Sequence, residues 1–162
     1  MDSLLFPPLT LGTCRLTIRE GKKGYEVLDI ARRRYVALTP EEWVRQHVVH
    51  MLHYTYRYPL ELIRVEGAIE VDGLRRRCDI VVHQPAYTRP VLIVECKRPD
   101  VLLSQRTVDQ VCRYNRALHV PYLFITNGLE HLILQVLDVE PYLSPLQRFP
   151  TWDMLCAVDA GR

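Results

Sequence analysis

Two carboxylates and one lysine stand at the ends of what read as neighbouring strands. Pro90-Val91-Leu92-Ile93-Val94-Glu95-Cys96-Lys97-Arg98-Pro99 opens with a run suited to a buried strand and ends abruptly in an acid, a neutral residue and a base. A strand alternates its side chains between two faces, so Glu95 and Lys97 share a face while Cys96 points to the other. Upstream, Arg77-Cys78-Asp79-Ile80-Val81-Val82-His83 reads as a second strand. A connecting loop centred on Tyr87 pairs the two antiparallel and sets Asp79 directly opposite Glu95. Two carboxylates about 4 Å apart repel by roughly 4 kcal/mol at an effective dielectric of 20. Lys97 offsets part of that, and a hard divalent cation such as magnesium, which takes oxygen ligands and keeps several waters, would offset the rest. The residues alone point to a metal site.

Acid-x-lysine is a weak signal by itself, and the chain carries a second one, Glu20-Gly21-Lys22, in a glycine turn where a solvated charge pair suffices. Context separates the two. Glu95 and Lys97 end an apolar strand, follow an aspartate on the preceding strand, and precede a helix carrying Gln110 and Tyr114. A chain using 18 arginines to 3 lysines also places a lysine here. Arginine would carry the charge, but only lysine can shed a proton to act on water.

The elements that must position these groups follow from pattern. Cys14–Arg19 and Tyr25–Ile30 flank Gly21-Lys22-Lys23-Gly24, a hairpin with a basic tip that reads as lying outside the main core, and Arg34–Leu38 is a third short extended piece. Thr39-Pro40-Glu41-Glu42 is a capping box, with Thr39 at the N-cap, Pro40 at N1 and Glu42 at N3. The helix it opens runs to about residue 55, because Val44, Val48, Met51 and Leu52 form one apolar stripe. His47, His50 and His53 recur at a spacing that drifts around this helix, without the His-Glu-x-x-His form of a zinc site, and read as surface or core residues. Leu62–Val71 is a strand, Asp72-Gly73 a type I′ turn, and a three-stranded meander results. Ile80, Val82, Leu92 and Val94 share one face and Val81, Val91 and Ile93 the other, so helices must cover both. Residues 101 to about 119 form the second helix, with Gln110 and Tyr114 one turn apart on a single face. Val120–Thr126 and Leu129–Leu137 pair as a hairpin around Asn127-Gly128, and a short helix is expected around Trp152–Leu155.

Composition sets the bounds. At 162 residues and 48% hydrophobic the chain fits one domain with a real core. A net charge of +2 does not announce nucleic acid, although Arg32-Arg33-Arg34 and Arg75-Arg76-Arg77 are dense basic clusters and the second leads into Asp79. Five cysteines without a Cys-x-x-Cys argue for reduced thiols in a cytoplasm rather than a disulfide framework or zinc ribbon. The first eight residues lack the charged and apolar regions of a signal peptide, and no run approaches the roughly 18 apolar residues of a membrane span.

The arrangement resembles the PD-(D/E)xK phosphodiesterase superfamily of nucleases and, within it, the N-terminal nuclease domain of type I restriction enzyme R subunits. The matching residues are Thr39-Pro40-Glu41-Glu42-Trp43-Val44-Arg45-Gln46, Arg77–Val82, Val94-Glu95-Cys96-Lys97-Arg98-Pro99, Gln110-Val111-Cys112-Arg113-Tyr114-Asn115 and Thr126-Asn127-Gly128, spanning roughly residues 25 to 137. The resemblance implies an α/β, restriction-endonuclease-like core: a central mixed sheet of about four to five strands with helices on both faces, plus an N-terminal β-hairpin. Residues 1–24 would be a lead-in and first hairpin strand, 25–140 the nuclease-like domain, and 141–162 an extension packed on it.

By the same resemblance, Asp79 and Glu95 would bind Mg2+, with Mn2+ a substitute, assisted by the Cys96 backbone carbonyl, and Lys97 would position or activate the attacking water. Gln110 and Tyr114 look like the Gln-x-x-x-Tyr motif that supports such a site and contacts DNA. An acid on the first helix often completes it, and Glu42 is favoured over Glu41. Arg75, Arg76, Arg98 and Arg113 are candidates to hold the DNA backbone, which carries affinity but no sequence information. The chain departs from the family in Cys78, where many members have Pro, and in lacking a Gly-x-x-x-x-Gly-Lys-Ser/Thr loop, so it carries no ATP site. The expectation is a metal-dependent DNA endonuclease of weak intrinsic specificity, with a protein partner supplying targeting or a motor. The alternative is a catalytically silent module of the same fold that docks DNA or a partner protein.

Overall fold

The computed structural model describes residues 6–85 and 89–157. Strands β1 (Ile18–Gly21) and β2 (Gly24–Asp29) pair antiparallel across the Lys22-Lys23 tip, with Gly21 opposite Gly24. β3 (Arg34–Ala37) returns along β2, so the N-terminal element is a three-stranded sheet rather than a two-stranded hairpin. It has a small core of its own, Leu16 and Val27 closing on Trp43 of the first helix.

That helix, α1 (Pro40–His50), starts where the sequence predicts, Thr39 Oγ1 accepting the Glu42 backbone N–H at 3.1 Å. The capping box is only half made, because the Glu42 carboxylate turns away to Arg32, Arg45 and Gln46. Val44, Val48 and Val49 are buried, and the chain continues into one π-helical turn, Met51–Thr55, which buries Leu52.

The main sheet has six strands in the order β4 (Ile63–Val71), β5 (Leu74–His83), β6 (Pro90–Cys96), β7 (Tyr122–Thr126), β8 (His131–Val136) and β9 (Leu143–Pro145). Its one parallel pair is β6–β7, joined by α2 (Gln105–Leu118), as a parallel connection requires. The other neighbours are antiparallel, and Asp72 and Gly73, both at positive φ, make the tight turn between β4 and β5. The expected four to five strands become six because β9 comes from the segment read as an extension. A short α3 (Trp152–Cys156) follows it.

Each face of the sheet has its own core. On one, Val44, Val48 and Leu52 pack with Ile80, Val82, Leu92 and Val94. On the other, Val111 of α2 packs with Val81, Ile93, Leu123 and Ile125. Val91 joins the α1 side rather than the face expected of it; the β5–β6 register shifts between Val82 and His83, and strict alternation fails beyond that point. Among the described residues no helix is long and apolar enough to cross a membrane.

Candidate functional site

Ile80 pairs with Val94, Val81 with Ile93 and Val82 with Leu92, the register expected from the sequence; Tyr87, the expected centre of the loop, lies outside the described residues. One step further, Asp79 does not continue the alternation. On the β4 side the ladder runs from Val65–Ile80 to Gly67–Cys78 and omits Glu66–Asp79, where Glu66 holds a left-handed φ of 52°. Cys78 consequently packs in the α2-side core and Ile80 in the α1-side core, although residues two apart on a regular strand share a face. The strand rolls over at Asp79, the kind of local irregularity that re-aims a side chain. Its carboxylate meets α1 and β6 instead: Oδ1 accepts from Arg45 Nη2 at 2.8 Å and Oδ2 from the Cys96 backbone N–H at 2.7 Å.

Glu95 is 4% exposed. Its Oε1 accepts from Lys97 Nζ at 2.7 Å and from Gln110 Nε2 at 2.8 Å. Gln110 Nε2 also donates to Tyr114 Oη at 3.0 Å, so the helical pair predicted to share a face does so against the predicted acid. Lys97 is anchored by its own backbone N–H, which donates to Thr126 O on β7 at 2.8 Å. Cys96 points the other way, fully buried in the α1-side core.

The electrostatics follow from burial and like charge. Burial first, then the charge of Asp79, pushes Glu95 up to about 7 against the opposing hydrogen bond from Lys97. Burial works against the charge on Lys97, but the hydrogen bond and charge of Glu95 more than offset it and raise its pKa, so Lys97 is protonated at neutral pH. Glu41 is raised by burial and by Asp79.

The structure brings together Asp79, Glu95, Lys97, Gln110 and Tyr114 but not Glu42. Glu42 Oε1 accepts from Arg32 Nη2 at 2.7 Å and Gln46 Nε2 at 2.8 Å, and its Oε2 accepts from Arg45 Nη1. Both oxygens serve a network that ties α1 to the N-terminal sheet through Asp29, itself held by Arg32 and Gln46. The helix acid whose charge reaches Asp79, Glu95 and Lys97 is Glu41, with a 39% exposed side chain. Sequence reasoning gave no role to Arg45, Arg32 or Glu66; the available signal was the four-residue spacing of Glu41 and Arg45 on one helical face. Arg75, Arg76 and Arg113 are exposed, the first two on the outer part of β5 and the third beside Tyr114, while Arg98 is exposed and paired with Asp100. His47 Nδ1 lies 2.7 Å from Trp43 O and His53 Nδ1 2.9 Å from Tyr58 O, so each has a local partner.

Among the described residues no group of three His, Cys, Asp or Glu side chains is arranged to hold a metal ion. Among the described residues Asp29, Glu41, Glu42, Glu66, Asp79 and Glu95 pair with Arg32, Arg45, Arg77 and Lys97. Both hydrogen bonds to Glu95 fall on Oε1, and among the described residues Oε2 accepts none. Two carboxylates are the oxygen donors a hard divalent cation takes, and each oxygen of Asp79 already accepts a hydrogen bond, Oδ1 from Arg45 and Oδ2 from the Cys96 N–H.

A mixed α/β domain brings Asp79, at the irregularity within β5, beside Glu95 and Lys97 at the end of β6. Residues 40–150, from α1 through the main sheet, match the family described as type I restriction enzyme R protein N terminus (HSDR_N), and the chain belongs to that family. No curated protein matches the chain. Among solved structures it is similar to a fragment assigned to the HsdR subunit of a type I restriction enzyme from Vibrio vulnificus YJ016, at 24% identity and a TM-score of 0.51. That likeness covers 74% of this chain and 25% of the other, and it concerns the fold.

Proposed function

We propose that the domain hydrolyses DNA phosphodiester bonds as a divalent-cation-dependent endonuclease of the PD-(D/E)xK kind, with weak intrinsic sequence specificity. The observation that carries this reading is Glu95: nearly buried, crowded by the charge of Asp79, and hydrogen-bonded on one oxygen by Lys97 and Gln110. A carboxylate held in that way is destabilised without a cation, which a member of a purely structural ion pair has no reason to be. Asp79, Glu95 and the Cys96 carbonyl would hold Mg2+ or Mn2+, with Glu41 rather than Glu42 as the nearest acid on α1. When bound, the cation polarises a phosphoryl oxygen and acidifies water.

The chain's own residues do the rest. Lys97, kept protonated by Glu95, orients the attacking water and faces the charge that develops on the phosphoryl group. Gln110 fixes the Glu95 oxygen that Lys97 shares, and Tyr114 fixes Gln110. Arg75, Arg76, Arg98 and Arg113 bind phosphates without reading bases. The likeness covers a quarter of the HsdR fragment, and targeting and any ATP-driven motor would come from outside these residues. The reducing cytoplasm is the compartment that suits five cysteines that form no disulfide among the described residues.

One observation favours the silent docking module: Arg45 sits on Asp79, where a cation would be needed. End-labelled duplex and single-stranded DNA incubated with Mg2+ or Mn2+ separates the two readings. Fragments that form only with the cation and stop with EDTA support hydrolysis. Binding without fragments under every cation condition selects the docking module.

A further inference from the structure

Arg45 is the group beside Asp79 that the proposed reaction does not use. Its side chain is 6% exposed and meets four carboxylates: Asp79 Oδ1 at 2.8 Å and Glu41 Oε1 at 2.9 Å through Nη2, Glu42 Oε2 through Nη1, and Glu66 Oε1 at 3.8 Å. Its Nε is buried without a hydrogen-bond partner among the described residues. A buried donor left unpaired is rare in folded proteins, so charge rather than full hydrogen-bond satisfaction sets this seat. Of the two Asp79 oxygens, Oδ2 is committed to the sheet through the Cys96 N–H, and Oδ1 is the one Arg45 covers.

We propose that Arg45 is the resident counter-ion of Asp79, a positioning residue that holds Oδ1 while no divalent cation is bound and yields it to the cation by shifting its charge onto Glu41 and Glu42, which it already bridges. The proposal rests on the cation-binding reading above and adds that the guanidinium and the cation compete for one oxygen. Two like charges close together in a buried site repel, so a neutral side chain at position 45 tightens cation binding. A merely structural arginine does the reverse: its loss disorders Asp79 and weakens binding.

Free Mn2+ measured by electron paramagnetic resonance, without DNA, tests this on wild type, Arg45→Gln, Arg45→Lys and Asp79→Asn. The expected result is a Kd lower by roughly tenfold in Arg45→Gln, little change in Arg45→Lys, and loss of binding in Asp79→Asn. A folded Arg45→Gln protein that binds Mn2+ no more tightly than wild type overturns the proposal. If Arg45→Gln does not fold, the wild-type Arg45 side-chain N–H resonances decide: a shift on Mg2+ saturation supports release of Asp79, and unchanged resonances at saturation overturn it. Absence of Mn2+ binding in both wild type and Arg45→Gln overturns this proposal together with the cation reading. Tight Mn2+ binding without DNA hydrolysis overturns catalysis alone and leaves the role of Arg45 standing.

Discussion

Replacing Glu95 by Gln is expected to stabilise the cation-free protein at pH 8 and to change little in the acid range. Gln keeps the shape of the side chain, and its amide oxygen still accepts from Lys97 and Gln110. What disappears is a negative charge that burial and Asp79 disfavour. Folded Glu95 holds its proton up to about 7, against an ordinary value of 4.5. The folded chain therefore binds more protons than the unfolded chain between those values, and stability falls as pH rises through that window. At 1.36 kcal/mol per pH unit, the full effect is about 3 kcal/mol above the window and close to nothing below it. In a domain of this size that raises Tm by about 6–12 °C at pH 8. Calorimetry in EDTA across the range reads the difference directly. With Mg2+ at 100 times its Kd the difference nearly vanishes, because the cation adds about 2.7 kcal/mol to wild type and nothing to a protein lacking the ligand. A variant no more stable than wild type at pH 8 in EDTA would refute the reasoning, since the ion pair with Lys97 would then outweigh burial and repulsion together.

Two further substitutions test how the site is supported. Thr39→Ala removes the α1 N-cap and is expected to cost about 1 kcal/mol in urea unfolding, whereas no share of the cap is lost with the Glu42 carboxylate. Tyr58→Phe leaves the buried Pro150 carbonyl without the hydroxyl that donates to it at 2.6 Å, and the urea midpoint is expected to fall by an amount equivalent to about 1–2 kcal/mol.

The parts of the fold that depend on local pattern were legible. The apolar run of β6, the Asp72-Gly73 turn and the Asn127-Gly128 turn each carry their geometry in adjacent residues, and the two turns join the β4–β5 and β7–β8 hairpins. The Gln110–Tyr114 pair was legible because helical spacing alone puts both on one face. The roll of the strand at Asp79 was not, because it rests on Glu66, a residue without the glycine or asparagine signature of a left-handed position. The partners of Glu42 were hidden for a different reason. Its spacing from Thr39 announces a capping box, but a carboxylate bonds to the strongest donors that the tertiary fold brings near, here Arg32 and Arg45. The strand β9 spans three residues and ends in Pro145, too short for a periodic signal and tolerable only at a sheet edge.

The most direct test of the central claim is the nicking of supercoiled plasmid in Mg2+ or Mn2+ by wild type, Asp79→Asn and Lys97→Ala at equal concentration, with folding of each verified by circular dichroism. The account predicts cation-dependent nicking by wild type that EDTA stops, and a loss of roughly a hundredfold or more in each variant. Variants that nick as fast as wild type, or a wild type inert with both cations while its fold is intact, would contradict it.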